Sequence, residues 1–140
     1  MVILEYNPHN LDVISKIIKS NLTYDLLPKK WFTRNMMNPM FGHCHTASAC
    51  LQRLFGTKNI RLYRALDDEG IWHWWVIDKE NKLIDLTSEQ YTSQGRNPPY
   101  AEGQKASMLG FEYRKRVLRL YDRVMTEYEN RINNRPALWS

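Results

Sequence analysis

The sequence has no apolar run long enough to cross a membrane. A bilayer-spanning helix needs about 20 consecutive apolar residues, and no stretch of the 140 residues approaches that length. The first ten residues, MVILEYNPHN, also lack the cationic start and the apolar stretch of a signal peptide. These two absences favour a cytoplasmic protein that has no membrane partner.

Cysteine is scarce, with two residues in the whole chain. Cys44 and Cys50 lie six positions apart in one predicted helix, so they point to different faces of it. A disulfide between them is therefore not expected while the helix exists. In a reducing compartment both are free thiols.

The sequence has no internal repeat, no low-complexity tract and no stretch with the composition of a linker. A chain of 140 residues is of ordinary size for one domain, and its apolar fraction of 43% is enough for a core. Chains of this length bury roughly two thirds of their unfolded surface. We therefore expect a single domain over residues 1–140.

The net charge is moderately basic, at +5. A basic balance favours contact with polyanions, and basic residues collect in the segment 111–123. No known nucleic-acid-binding motif is present. Nucleic-acid binding is therefore an open alternative that no motif supports.

Three segments place apolar residues at helical spacing. They are residues 10–20, 44–55 and 111–133. Three shorter segments have the composition of strands. They are residues 60–66, 71–77 and 82–87, of which 71–77 is almost wholly apolar and is expected inside a sheet. The order predicts an α+β fold in which helix 44–55 packs on a small antiparallel sheet with a C-terminal helix.

Two long connections interrupt this order. Residues 23–41 contain Pro28 and Pro39 among aromatic and Met residues, which predicts an irregular but apolar connection. Residues 88–106 are predicted to be a second long excursion, because they contain two glycines and two prolines. Such long connections are uncommon in a compact domain and are often functional. We expect residues 31–41 and 91–104, which belong to these two connections, to line the entrance of a pocket.

The first connection leads directly into Gly42-His43-Cys44. Cys44 is thus predicted in the first turn of helix 44–55. A helix N-terminus favours the thiolate, which is the form in which cysteine is a nucleophile. A nucleophilic cysteine also needs a base within hydrogen-bond reach and a group that orients this base.

His73 and Asp85 are the candidates for these two groups. Each is a polar residue in an otherwise apolar strand, where an unpartnered polar side chain is costly. Strand side chains alternate, so the two share a face as diagonal neighbours if the hairpin loop is odd, for example 79–81. An even loop would place His73 and Asp85 on opposite faces of the sheet. If the helix of Cys44 packs on that face, the three residues form a Cys–His–Asp triad of the papain-like kind.

Three other residues are candidates for binding an oxyanion or the substrate. Backbone N–H groups at the start of the Cys44 helix can stabilise an oxyanion. The side chains of Asn38 and His43 lie close in sequence and are candidates to add a donor. Trp75 shares the strand face of His73, which makes it a candidate wall of the site.

Several short strings carry a family resemblance, because they recur in order and spacing over about residues 38–125. They are Asn38-Pro39, Gly42-His43-Cys44, Phe55-Gly56, His73-Trp74, Ile84-Asp85-Leu86-Thr87 and Glu89-Gln90-Tyr91. In these strings the chain resembles the YunG-like family of small bacterial and phage proteins. One departure is His43, where the family usually has Gln. The resemblance implies a papain- or transglutaminase-like fold with a triad at Cys44, His73 and Asp85, and it supplies no substrate.

Together these observations predict a cysteine hydrolase or acyltransferase that uses no cofactor. Cys44 would attack an amide, isopeptide or thioester carbonyl of a protein or peptide-like substrate, His73 would transfer the proton, and Asp85 would orient His73. The string His43-Cys44-His45 does not have the ligand spacing of a structural zinc site, so no metal is expected.

A structural interpretation of the same residues stays open. Cys44 also fits a small buried apolar residue, His73 a stacked core histidine, and Asp85 a cap of the following turn. The chain would then be a catalytically inactive papain-like binding module that captures a protein partner.

Overall fold

The structure is a computed structural model that describes residues 3–107 and 110–133. Within these residues the five α-helices are α1 (Pro8–Ser20), α2 (Phe32–Met37), α3 (Cys44–Phe55), α4 (Glu89–Thr92) and α5 (Phe111–Asn133). The four strands are β1 (Ile60–Leu66), β2 (Trp72–Asp78), β3 (Leu83–Ile84) and β4 (Gln104–Ala106). This content confirms the predicted α+β class.

The strands form one antiparallel sheet in the order β3–β2–β1–β4. The prediction that the apolar segment 71–77 lies inside the sheet is confirmed, since β2 has a neighbour on each side. β1 and β2 pair along their whole length, whereas β3 pairs with β2 only at Val76 and Ile77. Most of one edge of β2 is therefore not covered by β3.

The hairpin between β2 and β3 has an odd loop, residues 79–81. Its closing contact is a hydrogen bond of 2.9 Å from the N–H of Asp78 to the carbonyl oxygen of Lys82. The carboxylate of Asp78 also accepts the N–H of Lys82 at 2.9 Å. The odd loop places His73 and Asp85 on one face of the sheet as diagonal neighbours, as the alternation of strand side chains predicts.

The two faces of the sheet are covered by different parts of the chain. One face carries Trp74 and Val76, which pack in the main core with apolar residues of α1, α3 and α5. The other face carries His73 and Trp75, which are covered by rings from the segment 88–103. α3 thus packs on the face opposite to His73, in contrast to the arrangement expected for a converging triad.

α3 forms the centre of the core, with ten of its 12 residues buried. Ala47, Leu51 and Leu54 form its apolar stripe and are each 0% exposed. The helix ends at Gly56, whose φ of 88° is a conformation that other residues rarely adopt. The burial of α3 fixes the position of its first residue, Cys44, relative to the sheet.

Local patterns misplaced three boundaries. Residues 23–41 were expected to be irregular, but they contain two 3₁₀ turns followed by α2. The strand predicted at 82–87 shortens to β3, because the chain turns to place Asp85 against a partner on β2. Residues 88–106 contain α4 and β4, and Gln104–Ala106 has no apolar alternation because its pairing with β1 holds it in place.

The basic residues of α5 are partly paired. Arg119 lies 3.5 Å from the carboxylate of Asp25, and Arg123 bonds to the same carboxylate. The hydrogen bond from Arg123 lowers the pKa of Asp25 to about 2. Neither α5 nor any other helix in the described part of the chain is long and apolar enough to span a bilayer.

Replacing Leu51 by Ala should destabilise the fold strongly. Leu51 is 0% exposed, and removing a buried leucine side chain typically costs about 2–5 kcal/mol. The free energy of unfolding, measured by urea titration, should fall by that amount. The control is Met37→Ala, because Met37 is 82% exposed and its loss should leave the unfolding midpoint unchanged. Equal effects of the two substitutions would contradict this description of the core.

Candidate active site

Cys44 is the first residue of α3, the end of a helix at which backbone N–H groups have no carbonyl partner within the helix. His43, the N-cap residue, makes no side-chain hydrogen bond to the first turn, and that turn contains no acidic residue. Gly42 forms the entry with a φ of 87°, and a Cβ there would lie 2.8 Å from Leu27. N–H groups at a helix start have no partner within the helix and carry partial positive charge. This end of α3 therefore suits negative charge at Cys44.

A buried hydrogen bond joins His73 to Asp85. Nε2 of His73 lies 2.6 Å from Oδ2 of Asp85, and the two side chains are 0% and 3% exposed. Hydrogen bonds to an ionised partner are shorter and stronger than neutral ones. Asp85 therefore fixes both the orientation of the His73 ring and the nitrogen that carries its proton.

Asp85 is itself held by Tyr100 and Thr87. The hydroxyl of Tyr100 donates to Oδ2 of Asp85 at 2.6 Å, and the N–H of Thr87 donates to Oδ1 at 3.1 Å. Burial, together with the Asp85 carboxylate, raises the pKa of Tyr100, so its hydroxyl keeps the proton that it donates. Donors of this kind stabilise the charged form of a carboxylate.

Aromatic rings fix the plane of His73. Trp75 stacks on it with 5.7 Å between ring centroids, and Tyr91 meets it edge-on at 4.7 Å. The hydroxyl of Tyr91 is anchored to Asp67 at 2.8 Å. Gly103 packs so closely on Trp75 that a Cβ would lie 2.6 Å from its Cζ2. The ring of His73 is thus held from two sides.

Cys44 approaches His73 at the uncovered edge of β2. Sγ of Cys44 lies 3.8 Å from the carbonyl oxygen of Trp72, within range of a weak S–H···O contact. No described strand pairs with β2 on this side next to Trp72 and His73. The first turn of α3, which packs on the other face, can therefore reach the histidine around the edge of the strand.

The second ring nitrogen of His73 is left for Cys44. Nδ1 is buried and makes no hydrogen bond with the described residues. Burial acts to lower the pKa of His73, but the hydrogen bond to Asp85 and the nearby Cys44 outweigh it and raise the pKa to about 9. Cys44 is thus close enough to act on the ring, although its Sγ is engaged with the carbonyl of Trp72 and completes no bond to Nδ1.

A cleft of about 290 Å³ opens beside Cys44. Aromatic side chains form a large part of its wall. The aromatic residues are Trp31, Phe41, Trp72, Trp74 and Tyr113. Lys30, His45 and Gln90 add polar groups. Burial lowers the pKa of His45 to about 4, so this side chain is neutral at pH 7. The cleft thus presents apolar surface and few charges next to the thiol.

The chain matches a family model described as "YunG protein" over residues 11–130, which is most of its length. The chain belongs to the YunG family. Comparison with curated proteins and with solved structures gave no match.

In this YunG-family chain, the other sequence candidates lie outside the walls of the cleft. Nδ2 of Asn38 donates to the backbone oxygen of Gln90 at 2.7 Å, so Asn38 positions another segment. His43 is 1% exposed, and burial lowers its pKa to about 4, which leaves it neutral. Trp75 is 1% exposed and supports the ring of His73.

The two cysteines of the YunG-family chain have different surroundings. Both are free thiols, as expected from their spacing. Cys50 is 0% exposed and its burial raises the pKa of its thiol, whereas Cys44 lines the cleft. Within residues 3–107 and 110–133, no group of three His, Cys, Asp or Glu side chains is arranged to hold a metal ion.

Sequence reasoning did not identify the residues that the segment 88–103 contributes. Tyr100 bonds to Asp85, Tyr91 packs on His73, and Gln90 lines the cleft. Gln90 and Tyr91 belong to one of the strings that carry the family resemblance, Glu89-Gln90-Tyr91, but the resemblance assigned them no role in the site. Tyr100 had no local signal, because a chain reversal brings it back over the sheet.

Replacing Asp85 by Asn should lower the pKa of His73 from about 9. Loss of a neighbouring charge typically changes a pKa by about 1–3 pH units. The measurement is an NMR titration that follows the imidazole protons of His73. The control is Asp78→Asn at the far end of β2, because Asp78 is also buried but does not contact His73. An unchanged pKa in Asp85→Asn would contradict the described pair.

The raised pKa of His73 also makes the free energy of unfolding depend on pH. The folded pKa of His73, about 9, lies above the unfolded value of about 6.5, so protonation of His73 stabilises the fold. This contribution is complete below pH about 6.5 and is lost as the pH rises through about 9. Urea titrations across this range should show a loss of stability that is smaller in Asp85→Asn than in the parent chain.

Proposed function

We propose that this YunG-family chain is a papain-like cysteine hydrolase or acyltransferase that acts on an amide, isopeptide or thioester carbonyl of a protein or peptide-like substrate. The observation that carries the proposal is the state of His73. One ring nitrogen is bonded to buried Asp85, and the other is buried, without a hydrogen bond, and close to Cys44. His43 also has a buried Nδ1 without a hydrogen bond, but only His73 combines a buried carboxylate on one ring nitrogen with a thiol near the other.

Asp85 supports the role of His73 as a base. Its carboxylate accepts a hydrogen bond from Nε2, which keeps a proton on that nitrogen. Nδ1 is then the nitrogen with a lone pair, and it can accept the proton of the Cys44 thiol. The raised pKa of His73, about 9, keeps this proton on the ring at neutral pH, so the imidazolium–thiolate pair is the form that attacks the substrate.

The acylation step needs only the thiol of Cys44, the imidazole of His73 and the substrate. The thiol proton moves to Nδ1 of His73, and the thiolate of Cys44 forms an S–C bond to the carbonyl carbon while the C=O electron pair moves to oxygen. The tetrahedral species then collapses and the bond to the leaving group breaks. The imidazolium gives its proton to the departing amine or thiol, and a thioester remains on Cys44.

The second step regenerates the thiol. Water, in a hydrolase, or an amine, in an acyltransferase, attacks the thioester and gives a proton to His73. The bond from carbon to Sγ breaks, Cys44 leaves as the thiolate, and the proton held by His73 is shared back with Cys44, which restores the starting pair. The backbone N–H groups at the start of α3 support both steps, because N–H groups at a helix start carry partial positive charge that suits an oxyanion. The aromatic walls of the cleft would hold the apolar part of the acyl group.

Cys44 should be alkylated by iodoacetamide faster than an unstructured peptide cysteine at neutral pH. The expected advantage is about 10-fold or more, because a free cysteine is only a few per cent thiolate there. His73→Ala should remove this advantage. Mass spectrometry of digested protein measures the rate at each cysteine, and buried Cys50 serves as the internal unreactive thiol.

The matched control for this test is His9→Ala, which removes an exposed histidine far in sequence from the site. It should leave the alkylation rate unchanged. If Cys44 is as inert as Cys50, or if His73→Ala has no effect, the enzymatic proposal is wrong. The binding-module alternative would then account better for the same pocket.

A further inference from the structure

Gln90 combines burial with a position at the nucleophile. It lies in α4, is 4% exposed, and lines the same cleft as Cys44. A buried amide side chain has two donors and an acceptor to satisfy. Its hydrogen bonds therefore indicate whether it is a structural group.

The donor side of this amide is not used. The hydroxyl of Thr87 contacts Oε1 of Gln90 at 3.4 Å, which is a long hydrogen bond. Nε2 makes no hydrogen bond with any residue in the described part of the chain. This nitrogen is not among the fully enclosed side-chain atoms that lack a partner, so it is open to the cleft that Gln90 lines. An unsatisfied donor at the wall of a cleft is well suited to an acceptor on a ligand.

The backbone of Gln90 is fixed on both sides. Its carbonyl oxygen accepts the side chain of Asn38 at 2.7 Å, and its N–H donates to the carbonyl oxygen of Thr87 at 3.0 Å. Thr87 also donates its own N–H to Asp85. The amide is thus carried by the same turn that holds the carboxylate partner of His73.

We propose that Nε2 of Gln90 donates the side-chain hydrogen bond to the oxyanion formed at Cys44, beside the backbone N–H groups of α3. Asn38 is then a positioning residue that acts through Gln90. This inference rests on the proposed acyl transfer at Cys44. The acceptor is the former carbonyl oxygen of the acyl group, which becomes negatively charged only during acylation and deacylation.

Two reagents separate this role from a general effect on the thiol. p-Nitrophenyl acetate acetylates Cys44 through a tetrahedral oxyanion, forming the S–C bond and releasing p-nitrophenolate. Iodoacetamide alkylates Cys44 by direct displacement of iodide and forms no oxyanion. A group that stabilises only the oxyanion should therefore affect the first rate and leave the second unchanged.

The test compares both rates at Cys44 in the full chain and in Gln90→Met, which keeps the length of the side chain and removes its donors. Acetylation, followed by p-nitrophenolate release and by mass spectrometry, should slow by about 100-fold, as expected for one oxyanion donor. Alkylation should stay the same. The control is Gln94→Met, an exposed glutamine two residues after α4, which should alter neither rate.

Gln90→Glu is the second variant, in case the apolar substitution prevents folding. It is isosteric, lacks the donors and adds negative charge, so it should slow acetylation at least as much as Gln90→Met. Unchanged acetylation in a folded Gln90 variant would overturn the inference alone. An equal fall of both rates would also overturn it, because Gln90 would then act on the thiol. Slow alkylation of the parent chain would overturn the proposed function and this inference together.

Discussion

The hydrogen bond between His73 and Asp85 is the interaction on which the rest of the site depends. Two ionisable side chains that are 0% and 3% exposed would be unfavourable without further partners. Tyr100 and Thr87 provide those partners on the carboxylate side. Trp75 stacks on the imidazole ring. The segment 88–103 is therefore packed on the sheet by the polar requirements of this pair as well as by apolar contact.

The shortness of β3 allows Cys44 to approach His73, although α3 packs on the face of the sheet opposite to the His73 side chain. α3 packs on the face of the sheet that carries Trp74 and Val76, whereas His73 belongs to the opposite face. A full-length β3 would cover the edge of β2 and separate Cys44 from His73. Because β3 pairs only at the far end of β2, the first turn of α3 lies against the carbonyl of Trp72 and next to the histidine. Cys44 and His73 thus approach each other around a strand edge.

The sequence predicted most of the fold for physical reasons that act locally. The apolar stripe of α3, the alternation in β1 and the aromatic run of β2 each specify one element, because each has the period of that element. It failed at β4, where Gln104–Ala106 has no apolar pattern and forms a strand only by pairing with β1. It failed also at residues 23–41, where short helical turns leave too few residues for a period to be visible.

For the site, the sequence by itself singled out the residues that the proposed chemistry would use: a cysteine at a helix start, and two polar residues in apolar strands that must find partners because burial without one is costly. Because the loop 79–81 has an odd number of residues, His73 and Asp85 lie on the same face of the sheet. Only the tertiary structure decided that Asn38 supports Gln90 and that Tyr100 returns to Asp85. The reason is that these contacts join segments far apart in the chain, and no local sequence pattern predicts such contacts. They form only when the whole chain packs.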